Sequence, residues 1–132
     1  MTLVVDASVI VAALVDTGRE GRWAESLIAS ETLIAPELAT VEATNILRRL
    51  ELADQLSSLE SGLARQDLMS LNIDLFPFRP FADRIWELRT NITSYDAWYV
   101  ALAEALDCSL ATLDLKLKNA NGIQCDFAEF DW

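Results

Sequence analysis

Apolar residues gather in this chain in two ways: in short uninterrupted blocks, and in longer stretches where they return every three or four positions. The short blocks read as strands: Thr2-Leu3-Val4-Val5, Thr32 to Ala35, Ile73 to Phe76, Ser109 to Thr112, and a last one near Gln124–Phe127. The longer stretches read as helices. Ala7 to Val15 is helical and stops at the turn signal Asp16-Thr17-Gly18. Gly21 to Ser30 follows, with Trp23, Leu27 and Ile28 on one side, and Pro36 suits the first turn of a helix reaching about Leu52. Ser57-Ser58-Leu59-Glu60 is a Ser-x-x-Glu capping box, whose two ends satisfy each other's backbone amides and open a helix toward Ser70. Phe81 to Leu88 is a shorter helix. Thr93-Ser94-Tyr95-Asp96 reads as a Thr-x-x-Asp capping box with Ser94 as a second cap, and the run to about Leu106 is apolar nearly all round, so it should be buried on most sides. Leu115–Asn119 makes a short final helical turn.

Strands that alternate with helices imply a parallel sheet covered on both faces. The expectation is therefore an α/β fold in three layers, α/β/α, with a five-stranded parallel sheet. No repeat, low-complexity segment or linker divides the chain, so residues 1–132 read as a single domain.

Composition narrows the chemistry. With 52% hydrophobic and 23% charged residues the chain can bury a full core, which excludes a disordered acidic tail. The net charge of −11 argues against broad nonspecific attraction to nucleic acid, which needs a basic face. Histidine is absent, which removes the Ser-His-Asp triad, the Cys-His dyad, histidine-pair RNA cleavage and every His-ligated zinc site. Carboxylates, hydroxyls and bound metals remain. Cys108 and Cys125 form no CxxC motif and read as small reduced hydrophobes rather than a disulfide in a domain with ample core. No run approaches the ~20 apolar residues of a membrane span, and no basic region precedes the first apolar block, so the expected location is the cytoplasm.

Four acids then stand out by position. Sites in open parallel sheets form outside the carboxyl ends of the strands. Asp6 ends the first strand, Asp114 lies just past the fourth, Asp96 sits in the first turn of the apolar helix, and Glu42 lies early in the helix after the second strand. Each has apolar neighbours; around Glu42, Leu38, Ala39, Val41 and Ala43 are expected to be buried. An acid there loses hydration at a cost of several kcal/mol unless a partner replaces the water. No basic residue adjoins Asp6 or Asp96, so a divalent cation is the natural counter-charge, and oxygen ligands suit Mg²⁺ or Mn²⁺.

Taken singly, each acid has a plainer reading. Asp6 could cap the following helix, Asp96 could serve the helix dipole, and Asp114 could be a turn residue. Their shared edge tips the balance toward a site. Ser8 and Thr112 are supporting hydroxyls, Asn45 is a weak candidate one helical turn from Glu42, Lys116 is a candidate contact to a phosphate backbone, and Arg48, Arg49, Arg84, Arg89 and Lys118 are weaker candidates for the same. The tryptophans Trp23, Trp86, Trp98 and Trp132 read as core or interface.

The segments VVDASVIVAAL, APELATVEATNILRR, TSYDAWYVALAEAL and LATLDLKL, in that order, resemble the PIN-domain proteins, specifically the VapC-type ribonuclease toxins of toxin–antitoxin pairs. The resemblance implies a PIN fold, an Mg²⁺- or Mn²⁺-dependent endoribonuclease site on Asp6, Glu42, Asp96 and Asp114, and structured RNA such as tRNA or rRNA as substrate. It further implies a homodimer, neutralised by a cognate VapB-type antitoxin in a heterotetramer or larger assembly. The family's fifth acid has no counterpart between Leu115 and Gly122, which leaves one ion or two open. The competing classes are a receiver-like phospho-acceptor module and a catalytically silent binding protein of similar fold. A receiver would need an acceptor Asp after the third strand, where Phe76-Pro77 stands.

Overall fold

The computed structural model describes residues 1–131; Trp132 lies outside the described residues. Strand β1 (Thr2–Val5) leads into α1 (Ala7–Val15), α2 (Arg19–Ser30), β2 (Thr32–Pro36), α3 (Leu38–Leu52), α4 (Ser58–Ser70) and β3 (Ile73–Phe76). A 3-10 turn at Arg79–Phe81 precedes α5 (Ala82–Glu87), α6 (Ser94–Leu106), β4 (Ser109–Ala111) and α7 (Leu115–Lys118).

The strands are parallel in the order β3-β2-β1-β4. Leu3 pairs with Leu33 on one side and with Ser109 on the other, so β1 is flanked by β2 and β4. The chain thus leaves β1 toward β2 and later returns to its opposite edge. That reversal opens a crevice at the carboxyl ends of β1 and β4, where open α/β sheets place their ligands.

Among the described residues the sheet has four strands, not the five expected. The Gln124–Phe127 run supplies only an isolated bridge, Phe127 to Leu110, held by Leu110 N–H to Asp126 O and Ala128 N–H to Leu110 O. A bend at Cys125 ends the pairing before a second register step. Pro36 also differs from expectation: it closes β2 instead of starting a helix, since a strand end does not need its missing amide. Helix α2 begins two residues before Gly21, whose lack of a side chain is required, because a Cβ there would lie 1.8 Å from the carbonyl oxygen of Asp16.

Val4, Val5, Leu110 and Ala111 are fully buried, and α6 crosses β1, β2 and β4 with Ala97, Val100, Leu102 and Ala103 shut away from solvent. Helices α1 to α4 pack against one another as the second helical layer. The Ser57–Glu60 capping box forms with both hydrogen bonds in place. Trp23 and Trp98 are half-buried against the core, whereas Trp86 is exposed and carries the Arg89 guanidinium 4.5 Å from its ring centre. No helix among the described residues is long and apolar enough to cross a membrane.

Candidate active site

The end of β1 delivers Asp6 into the crevice, and the local chain explains why it folds so. Asp6 is the N-cap of α1, its carboxylate accepting from the Val9 amide at 3.1 Å. The plain capping role and the site role therefore fall on one side chain. Asp6 Oδ1 also accepts from Ser8 Oγ at 2.6 Å, and Oδ2 accepts from Thr112 Oγ1.

Both hydroxyls pass the connection on. Ser8 Oγ accepts from the Leu113 amide at 3.1 Å, and Thr112 Oγ1 accepts from the Asp114 amide at 3.0 Å. The loop after β4 is thus tied to the end of β1 through two side chains that the sequence marked only as supporting. Asp114 in turn caps α7, accepting from the amides of Lys116 and Leu117. It is the backbone of Lys116, not its exposed ammonium, that meets an acid of the site.

Asp96 and Glu42 approach from the helices. Thr93 Oγ1 caps α6 by accepting from the Asp96 amide without the reciprocal backbone bond of a full capping box, and the Thr93 side chain also bears on the Asp96 carboxylate, partly offsetting its rise. Glu42 Oε1 accepts from the Tyr99 hydroxyl at 2.6 Å. Tyr99 is 2% exposed and lies three residues beyond Asp96 on α6, so one helix face supplies both. Sequence reasoning missed Tyr99, taking it as apolar filling; its i,i+3 spacing from Asp96 was the available signal. Val41, expected to be buried beside Glu42, is 63% exposed, because it faces away from Ala39, Ala43 and Leu47 on α3.

The acids are electrostatically joined. Burial pushes the Asp6 carboxyl up to about 6 against the pull of its hydrogen bonds, with the charge of Asp96 adding to the rise. Burial also raises Glu42, offset by the Tyr99 bond and reinforced by Asp96. Asp96 itself is raised by burial and then by the charge of Asp114. Asp96 is therefore the hub: it acts on Asp6 and Glu42 and is acted on by Asp114. Burial and the adjoining carboxylates hold the Tyr99 phenol protonated, far above its ordinary range.

Among the described residues no cationic side chain offsets the rise at Asp6, Glu42 or Asp96. Arg84, a weak phosphate candidate by sequence, is spent elsewhere: it grips Glu104 with two nitrogens, reaches Glu87, and donates to the Gly122 carbonyl. Arg89 is occupied by Trp86. Asn45 and Arg48 are exposed on α3. Arg49 lines a cavity of about 460 Å³ beside the crevice, together with Ser8, Ile46, Leu50 and Leu113. A cavity of about 520 Å³ opens at the opposite end of the sheet, where Cys108 and Cys125, both free thiols, face Met1 and Thr2, far from the four acids.

The donor set is all oxygen and carries uncompensated negative charge, which fits a hard divalent ion. Among the described residues no three Asp, Glu or Cys side chains yet stand close enough together to hold one. Asp6 and Asp114 are held by their caps and repel Asp96, so an ion's charge would be what draws Asp96 and Glu42 in toward them.

Comparison with known proteins bears on this geometry. The sequence profile of the PIN domain matches residues 3–123. Ribonuclease VapC9 of Mycobacterium tuberculosis is 43% identical over 123 residues, which is 93% of this chain and 94% of that protein. Ribonuclease VapC1 of the same species is 38% identical over 124 residues, 93% of each chain. Among solved structures, the M. tuberculosis VapC20 toxin, described as cleaving the sarcin-ricin loop, superposes with a TM-score of 0.67 at 15% identity, covering 88% of this chain and 92% of that one. The VapBC2 structure of Rickettsia felis, bound to a DNA fragment from its promoter, gives a TM-score of 0.66 at 17% identity and covers 98% of both chains.

Proposed function

The chain belongs to the PIN domain family, alongside the VapC ribonucleases, and from that premise we propose that it is a metal-dependent endoribonuclease, the toxin of a type II toxin–antitoxin pair. Asp6, Asp96 and Asp114 hold Mg²⁺ or Mn²⁺, and Glu42 completes the set or positions the attacking water. The observation that carries this reading is the coupling of Asp96 to the other three acids at the switch point of the sheet, with no cationic side chain among the described residues offsetting the rise at Asp6, Glu42 or Asp96. A bound divalent ion supplies Lewis acidity toward the RNA phosphodiester and counter-charge to the carboxylates.

The chain's own groups do the rest. Ser8 and Thr112 hold both oxygens of Asp6, so this carboxylate keeps one orientation as the crevice fills. The apolar strands beneath exclude water from one side of the site and strengthen every charge interaction within it. Exposed Lys116 and Arg49 flank the crevice and offer positive charge to a phosphate backbone.

The partner is a VapB-type antitoxin. The fold shared with VapBC2 of R. felis supports such a partner, and so does the charge of −11, which two Mg²⁺ ions would lower only to −7 (−11 + 4). An Arg- or Lys-bearing antitoxin segment is the natural complement to that surplus. The chain acts as one PIN domain over 1–132, in a homodimer and in the cytoplasm. A receiver-like role gains no support, because β3 ends at Phe76 with no acceptor aspartate.

Brief expression of wild type and of Asp96→Asn, followed by mapping of RNA ends in total RNA, tests the assignment. New 5′-phosphate ends should appear with wild type and vanish with the variant. Equal cleavage by both would overturn it.

A further inference from the structure

Tyr99 is the one buried phenol at the acidic crevice, and its hydroxyl lies among groups that settle which way it donates. The Glu42 carboxylate accepts from it at 2.6 Å. The Ala7 backbone amide, at the start of α1, faces the same oxygen as a donor, and the charge of Asp6 is felt there too. With an N–H directed at its lone pairs and a carboxylate in front, the hydroxyl proton is committed to Glu42. The ring is 2% exposed and packed within α6, so the hydroxyl cannot follow Glu42 if that side chain swings away. Glu42 sits on a different helix, half-buried, and among the described residues no other hydrogen bond holds its carboxylate.

We propose that Tyr99 is a positioning residue for Glu42: it holds Oε1 and leaves Oε2 as the single free donor that Glu42 turns toward a divalent ion in the crevice. The inference rests on the metal-site reading above and goes beyond it by fixing how Glu42 takes part. A carboxylate so held donates through one oxygen. Released, it gains two free oxygens and several rotamers, and must be ordered at the moment of binding. The same bond ties α3 to α6 at the site, joining residues 57 positions apart.

The test is a double-mutant cycle on Mn²⁺ binding alone, by titration calorimetry on full-length protein, using wild type, Tyr99→Phe, Glu42→Ala and the double variant. Phe keeps the ring and removes only the hydroxyl; circular dichroism verifies that each variant is folded. Removing a group that orients a ligand typically weakens metal binding roughly 10- to 100-fold. Tyr99→Phe should therefore weaken Mn²⁺ binding by about that factor, and should add nothing further in the Glu42→Ala background. Unchanged affinity in Tyr99→Phe, or an equal loss in both backgrounds, would overturn the positioning role and leave Tyr99 a core residue only. Wild type that fails to bind Mn²⁺ at millimolar concentration would instead remove the metal-site reading, and this inference with it.

Discussion

Asp6→Asn should make the metal-free protein more stable at pH 7.5 while abolishing its cleavage. The Asp6 carboxyl is 7% exposed and pushed from 3.8 up to about 6. That rise of roughly 2 units corresponds to about 3 kcal/mol of folding free energy lost by carrying the buried charge, at 1.36 kcal/mol per unit. The direction follows from proton uptake. Because the folded pKa exceeds the unfolded one, the native state holds the proton more tightly between about pH 4 and 6, and wild-type stability falls as pH climbs through that window. Asn removes the charge but not the cap: its oxygen still accepts from Val9 N–H and Ser8 O–H. It loses the acceptor for Thr112, whose oxygen already takes the Asp114 amide, at about 1 kcal/mol. The net gain is about 2 kcal/mol, or several degrees in melting temperature for a domain of this size. Thermal unfolding followed by circular dichroism in EDTA should show the variant melting higher at pH 7.5 and slightly lower at pH 4. With Mn²⁺ at about 100 times its Kd, wild type should gain roughly 2.7 kcal/mol and overtake the variant. If the variant melts lower by the same margin at both pH values, the buried charge costs nothing and the reasoning fails.

Other outcomes follow from the same contacts. Mn²⁺ affinity should fall as pH drops through about 6, as the proton on Asp6 competes with the ion, and calorimetry at pH 5 and 7.5 reads the difference. Thr112→Val, which cuts the tie from Asp6 to the Asp114 amide, should cost about 1–3 kcal/mol in denaturant unfolding and weaken Mn²⁺ binding as well. Arg84→Leu should destabilise the fold by about 1–2 kcal/mol, because Glu104 and the Gly122 carbonyl lose their donor, yet leave Mn²⁺ affinity unchanged.

Much of this was legible in the residues because local rules and tertiary need agree. The Ser57 capping box, the apolar sequence of α6 and the block Thr2–Val5 each specify one structure and obtain it. The acids could be placed at one sheet edge because a parallel α/β sheet has only one edge where strands end and helices begin. Three features escaped. The last strand shrank to a single bridge because pairing beyond Leu110 and Phe127 depends on a bend that no propensity reports. Val41 came out exposed because helical phase, not neighbouring apolarity, decides burial. Tyr99 was hidden by its own character: a mostly apolar side chain whose one polar atom matters only when its partner, from another helix, is known.

The bond from Thr112 to Asp6 closes a loop of 106 positions. A ribosome releases the chain from its amino end, so Asp6 and Glu42 emerge well before Asp96 and Asp114. Until the segment around Thr112 is out, Asp6 lacks the hydroxyl that braces its second oxygen, and the crevice lacks Asp114. A nascent or prematurely terminated product therefore carries the helix cap without the nuclease. The order of synthesis therefore leaves the four-acid assembly incomplete until the loop after β4 has been made.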